Sequence, residues 1–388
     1  MKKRVKQGAA PLTQKSRRSA AVLLCAALVL VLARLWAAPA PAEDTGATEY
    51  AEYETGRVVQ LLSDSTEADP ASDGAYRGEQ LLLVEVTSGR YKGETLQVYN
   101  FVGPLYGVPV GEGDSVALTV STYQNGDHTA TVYEYNRTAP LIIVVVLFLI
   151  AAIAVGGRTG LKSLVGLGLT LICLFWVLLP ALMKGAPTLP AVLLACAWVA
   201  VVTLTILGGV EKKSLCAMAG TLSGVVLALV FGLVAQALLR IDGLRMSDVE
   251  PLLQLRQTGT PIGLRGLLVG GVVISALGAV MDVTMGIASS LTEVYAADTK
   301  MSRRDLFRSG MNIGRDMVGT MTNTLILAFL GSSFVLILYL YSMNLSTHQL
   351  LSSAFLSIEV VSGISGSIGV ILSIPITAAV TAYLLTRE

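Results

Sequence analysis

From Pro140 to the carboxyl end, long apolar runs alternate with short charged segments, at 140–155, 163–183, 190–208, 215–239, 263–291, 318–341 and 358–385. A helix needs about 20 apolar residues to cross a bilayer, so most of these runs are of spanning length. An eighth run, Ala20–Ala38, lies near the start. Between Glu43 and Thr138 the pattern changes to apolar–polar alternation, in RVVQLL, EQLLLVEVTS, TLQVYN, DSVALTVSTY and TATVYEY, separated by turn signals such as SGRYKGE and VGEGD. Alternation with period two predicts short strands with one buried face. The fold class expected is an α-helical polytopic membrane protein with a small extracytoplasmic all-β domain, a barrel or sandwich and OB-like. Three regions follow: a basic amino terminus with a signal-anchor or signal peptide at 1–42, the β-rich domain at 43–138, and a membrane domain of seven predicted helices at 139–388. Residues 63–78 read as a mobile loop, LRMSDVEPLLQLRQ as a surface helix, and 346–355 as a short interfacial helix.

Charge adds direction to this picture. Hydrophobic residues make up 53% of the 388 and charged residues 14%, too apolar for an ordinary soluble protein. Positive charge stays on the cytoplasmic side, and it collects at Lys2–Arg18, Arg158 and Lys162, Lys212 and Lys213, and Lys300–Arg315. That places both termini in the cytoplasm and 43–138 outside a bacterial cell membrane. The sequence APAPAED permits cleavage after Ala42, and an uncleaved anchor fits equally. All four cysteines fall in apolar runs, and two histidines with no HExxH or CxxC spacing leave no metal centre. No nucleotide fingerprint points to a cofactor, and a net charge of +1 without a basic aromatic patch excludes nucleic acid. The partners expected are the lipid bilayer, an unidentified solute or ion, and either a second copy or a partner membrane chain.

The candidate chemistry sits in GLRGLLVGGVVISALGAVMDVTMGIASSL at 263–291, an apolar run that contains a carboxylate, Asp282. On a helix, Gly271, Ser275, Gly278, Asp282, Gly286, Ser289 and Glu293 point within about 40° of one direction. Val273, Val280, Ile287 and Leu291 occupy the opposite face, suited to lipid or an apolar neighbour. An ionised aspartate in hydrocarbon costs from about 3 to well over 10 kcal/mol, so such a residue normally faces protein or a water-filled cavity. The next helix repeats the pattern with Asp305, Ser309, Asn312, Asp316, Thr320 and Asn323, and the two seams are expected to face each other. Path candidates are therefore Asp282, Asp316, Asn312, Asn323, Glu359, Ser275 and Ser289, with Arg308 and Arg315 as counter-charges. Small residues at four-residue spacing also let helices approach closely, the role expected of Gly271, Gly278, Gly286, Gly319, Gly363 and Gly366. On that reading Gly278→Leu disrupts assembly more than Val273→Leu.

The stretches ISALGAVMDVTMGIASSLTEV at 274–294, SGMNIGRDMVGTMTNTLILAFLGS at 309–332 and GSIGVILSIPITA at 366–378 resemble the YibE/F-like family of multipass bacterial membrane proteins. GGRTGLKSLVGL at 156–167 and the β-rich segment add to the likeness, which extends over roughly residues 50 to 386. The resemblance implies this architecture and these polar positions but no substrate. Some relatives divide the region between two chains, which keeps a partner chain in view. Three functions fit the residues: a transporter or permease with a path along Asp282 and Asp316, a membrane-anchored assembly or signalling module whose β-domain binds a partner, and an intramembrane aspartyl hydrolase. The last is disfavoured because the chain reads IGRD at 313–316 where aspartyl intramembrane proteases carry GxGD. The protein is expected not to be an enzyme.

Overall fold

A computed structural model of the chain describes residues 14–37, 49–123, 128–246 and 249–387. They divide into two compact units, one of the described residues within 41–151 and one of those within 1–40 and 152–388.

The first unit is a β-barrel. Its strands are β1 (Glu49–Asp64), β2 (Glu67–Asp69), β3 (Ala75–Val86), β4 (Thr95–Val102), β5 (Ser115–Tyr123) and β6 (His128–Tyr135). Five of them close in the order β1-β5-β6-β4-β3 and back to β1, all antiparallel except β4 with β6. Closure depends on β1, whose first half pairs with β5 and whose second half pairs with β3. At the crossover stands Gly56, where a Cβ would lie 2.5 Å from Val84 Cγ1 and 2.9 Å from Leu118 Cδ1. Only a residue without a side chain lets both partners approach there. The alternating positions Val58, Leu82, Val84, Val98, Leu118 and Val120 fill the interior. One polar pair is sealed among them. Gln80 bonds Asp64 Oδ2 (2.9 Å) and both backbone groups of Val110, and Asn100 donates to Gln80 Oε1 (2.9 Å), pinning the 103–111 loop across the barrel end. The expected mobile loop at 63–78 instead carries β2, paired with β3, and a tight turn in which Asp69 accepts from Ala71 N (2.9 Å).

The second unit is helical: α1 (Gln14–Ala37), α2 (Thr138–Ile172), α3 (Leu179–Met183), α4 (Thr188–Gly208), α5 (Lys212–Leu239), α6 (Glu250–Gln257), α7 (Leu267–Ala297), α8 (Arg303–Ser332), α9 (Phe334–Ser342), α10 (Thr347–Leu351) and α11 (Ala354–Leu385). The first half of α2 belongs to the barrel's unit by this division. At the centre α5, α7 and α11 pack on one another, with α8 against α11 and α7, α4 against α5 and α7, and α1 against α4. Glycines make the closest approaches. A Cβ on Gly224 would lie 2.6 Å from Val280 Cγ1 and 2.9 Å from the Gly369 carbonyl, and one on Gly310 would lie 2.8 Å from both Ala378 Cβ and Leu291 Cδ1. Most hydroxyls buried in this packing bond locally or to each other, as between Thr221 and Thr284 (2.7 Å), while those of Ser214 and Ser365 have no partner among the described residues. Pairing of the first kind removes the cost of burying a hydroxyl.

Among the described residues, five helical runs are long and apolar enough to cross a membrane, or six if a bent pair counts as one. The expectation was seven for 139–388, and two differences explain the shortfall. The expected spans 140–155 and 163–183 count together as Thr138–Met183, but this stretch holds two helices that meet at a kink, and the break expected within GGRTGLK is present as a single non-helical residue, Gly157 (φ 53, ψ −131). Glycine alone adopts such a conformation freely, so the two helices join there through one residue. The expected span 318–341 is broken at Ser333, where α8 and α9 meet at 61°. Both segments expected as short helices outside the spans do contain one, α6 and α10, the latter closed by a capping box between Ser346 and Gln349. The cleavage sequence at 38–44 lies outside the described residues.

Candidate functional site

Of the two surroundings expected for the apolar face of α7, lipid or an apolar neighbour, the structure has the second. Val273, Val280, Ile287 and Leu291 are completely buried against the bundle, while Gly271, Ser275, Gly278 and Asp282 are exposed. Burying the branched apolar face maximises the hydrophobic gain and leaves the small polar face for other partners. That face forms one wall of a cavity of ≈ 550 Å³, with the second half of α2 and α4 as the other walls. Asp282, Ser275 and Ser289 line it from α7, Ser163 and Thr170 from α2, and Thr203 from α4.

The α2 wall touches its neighbours lightly. Gly166 is the single buried residue of α2, and a Cβ there would lie 3.2 Å from Thr203 Cγ2, so the glycine is the point where α2 comes close to α4 beside the cavity. The Thr203 hydroxyl is buried without a hydrogen-bond partner among the described residues. Ser275 and Thr170 return their hydroxyl protons to carbonyls one turn back, Gly271 O (2.9 Å) and Gly166 O (2.9 Å), which leaves each oxygen able to accept. Asp282 itself makes no hydrogen bond or ion pair among the described residues. The cavity thus has a mostly apolar lining, with Leu167, Leu174, Val199, Leu204, Leu207, Leu277 and Met281 among it, and holds one carboxylate without a counter-charge together with several hydroxyls, which suits a cation or an exchangeable proton better than an anion.

The second seam is not part of this cavity. Asn312, Asp316, Thr320 and Asn323 lie together on α8 as expected, but on its exposed face, and no α8 residue lines the cavity. The α8 helix turns Leu306, Gly310, Gly314 and Leu325 inward instead. Pairing two apolar faces outweighs matching two polar ones, so the expected face-to-face seam does not form. The counter-charges are not made either: Arg308 and Arg315 are exposed, and Arg315 Nη1 donates only to Asn312 Oδ1 (3.3 Å) among the described residues. Glu359 is half-buried near the start of α11, away from the cavity.

The glycine expectations divide as well. Gly286 meets Met317 Cε (3.1 Å), Gly363 meets Phe329 (3.7 Å) and Gly366 meets Ala276 (3.5 Å). Gly271, Gly278 and Gly319 meet nothing within 4 Å, so the helix packing expected of them is not made within the described chain. The tight contacts fall to Gly220, Gly224, Gly310 and Gly314, which the sequence reading passed over although each pair has the four-residue spacing of close-packed membrane helices. Thr203, Ser163 and Thr170 were also missed. Isolated hydroxyls in apolar helices carry no spacing signal, and only the approach of α2 to α4 brings them to Asp282.

A family model describing YibE/F-like proteins matches residues 144–387. The chain belongs to this family. The matched stretch contains every wall of the Asp282 cavity, whereas the barrel strands lie before it. No curated protein and no solved structure matches the chain. What the YibE/F-like membership and the several apolar helices support together is a membrane protein.

Proposed function

We propose that this YibE/F-like protein is a multi-pass protein of the bacterial cell membrane that passes or couples to a cation or proton at the Asp282 cavity, with the barrel outside and both termini in the cytoplasm. One observation carries the reading: a carboxylate within an apolar helix, with no counter-charge, faces a cavity furnished with hydroxyls. A charge so placed is costly unless it binds a cation, takes up a proton or meets water. The reading is tested by reconstituting the purified chain in liposomes and following proton and monovalent-cation fluxes with entrapped dyes. Flux that is present in the wild type and lost in Asp282→Asn supports it. Flux unchanged by that substitution excludes Asp282 as the site.

A second reading has its own observation. The barrel carries exposed aromatics in pairs, Tyr53 with Tyr133 (ring centroids 5.4 Å, 79°) and Tyr99 with Phe101 (6.2 Å, 14°). Its strand order, with third and fifth strands parallel, is that of OB barrels, whose outer faces bind extended ligands. Between residues 49 and 137 there are fourteen acidic and five basic side chains, which repels nucleic acid and favours a neutral or basic partner. Under this reading the helices anchor a recognition module, and fluxes stay at background while Tyr99→Ala and Tyr133→Ala abolish partner capture. The hydrolase reading gains nothing, since Asp316 is absent from the Asp282 cavity.

A further inference from the structure

A second groove, separate from the Asp282 cavity, runs between α1, the second half of α2 and α4 with a volume of ≈ 900 Å³. Along α4 it extends from Trp198 to Gly209, about 16 Å of helix at 1.5 Å per residue. Its body is apolar, formed by Leu23, Leu30, Leu161, Val165 and Leu169, and its two lysines, Lys162 and Lys213, share one end with Gly208, Gly209 and Glu211. Lys162 is exposed and makes no hydrogen bond or ion pair among the described residues, and Lys213 Nζ reaches Glu211 Oε2 only at 3.5 Å. The α1 wall is fastened by Trp198 Nε1 donating to the Ala26 carbonyl (3.1 Å).

We infer that this groove binds an acidic phospholipid, with the phosphate at Lys162 and Lys213 and an acyl chain along Leu23, Leu30 and Leu169. The charge pattern selects this occupant. An apolar trough with cationic groups at one end matches a molecule with a long hydrocarbon and a single anionic head, and basic pockets between spanning helices recognise such heads. A free phosphate leaves the trough empty, and a zwitterionic lipid gains little from the lysines. The inference rests on the proposal that these helices lie in a bilayer, but not on Asp282 or on transport.

The test uses the full-length chain, extracted in mild detergent with mixed phosphatidylcholine and phosphatidylglycerol and examined by native mass spectrometry. The wild type is expected to retain phosphatidylglycerol preferentially. Each lysine near an anionic headgroup contributes about fivefold, so Lys162→Gln with Lys213→Gln is expected to bring the preference close to unity. Val165→Trp fills the trough without touching a charge and is expected to lower retention of both lipids. Equal retention of the two lipids by the wild type, a preference that survives the double substitution, or displacement by glycerol phosphate as effective as by whole lipid overturns the inference. Release of the wild-type chain from membranes by alkaline carbonate overturns the bilayer proposal as well, which separates the two failures.

Discussion

The consequence most specific to this structure concerns which glycines hold the bundle together. Gly310 on α8 sits against Ala378 Cβ and Leu291 Cδ1, each 2.8 Å from where its own Cβ would be. Leu291 has a rotatable side chain, but Ala378 can give way only by moving the α11 backbone. Overpacking of this kind costs about 1–3 kcal/mol, and Gly310→Ala is expected to destabilise the chain by that amount. Gly278 has open space around it, so Gly278→Leu leaves the fold at wild-type stability or slightly above, given that glycine is about 1 kcal/mol poorer than alanine in a helix interior. Val273 is completely buried, and Val273→Leu is expected to destabilise more than Gly278→Leu, the reverse of the order expected from the helical seam alone. Thermal unfolding of the purified variants in detergent, followed by tryptophan fluorescence and by monodisperse elution, measures all three. A Gly278→Leu protein that loses as much stability as Gly310→Ala, or a Gly310→Ala protein indistinguishable from wild type, refutes the reasoning.

Three further outcomes are expected. Asp282→Asn should keep wild-type thermal stability and abundance, because no ion pair is broken; a fall of about 3–5 kcal/mol, as when a buried pair loses one member, would show a counter-charge that the structure lacks. Gln80→Ala should destabilise the barrel by on the order of 1–3 kcal/mol for each buried group left unpaired, seen as faster amide exchange in the 103–111 loop; unchanged exchange would sink the role given to the Gln80 and Asn100 pair. Hydrogen bonds from Thr66 and then Gln80 hold the Asp64 carboxyl below its ordinary value of 3.8. A lowered folded-state value stabilises above the unfolded value, and that contribution disappears as pH falls through the folded one. The exchange difference between wild type and Asp64→Asn should therefore be full at neutral pH and shrink below about pH 3.8; a difference that grows on acidification contradicts it.

Much of the architecture was legible in the residues themselves. Five strands match the five alternating segments, and the apolar runs at 190–208, 215–239, 263–291 and 358–385 match α4, α5, α7 and α11, because periodicity is a local property that backbone geometry converts directly into helix or strand. The identity of Asp282 as the carboxylate of interest was also local, since its cost depends only on the apolar run around it. Helix orientation was not legible. The face of α7 bearing Asp282 could have met α8, lipid or a cavity; the bundle decided this by burying Val280, Ile287 and Leu291 against α11 and α8, which left Asp282 to α2 and α4. The same choice turned Asp316 and Asn312 outward and made Gly310 and Gly314 the packing glycines. Spacing along one helix sets which residues share a face, but the direction of that face follows from the sum of contacts with helices distant in sequence. Only the assembled structure holds that sum.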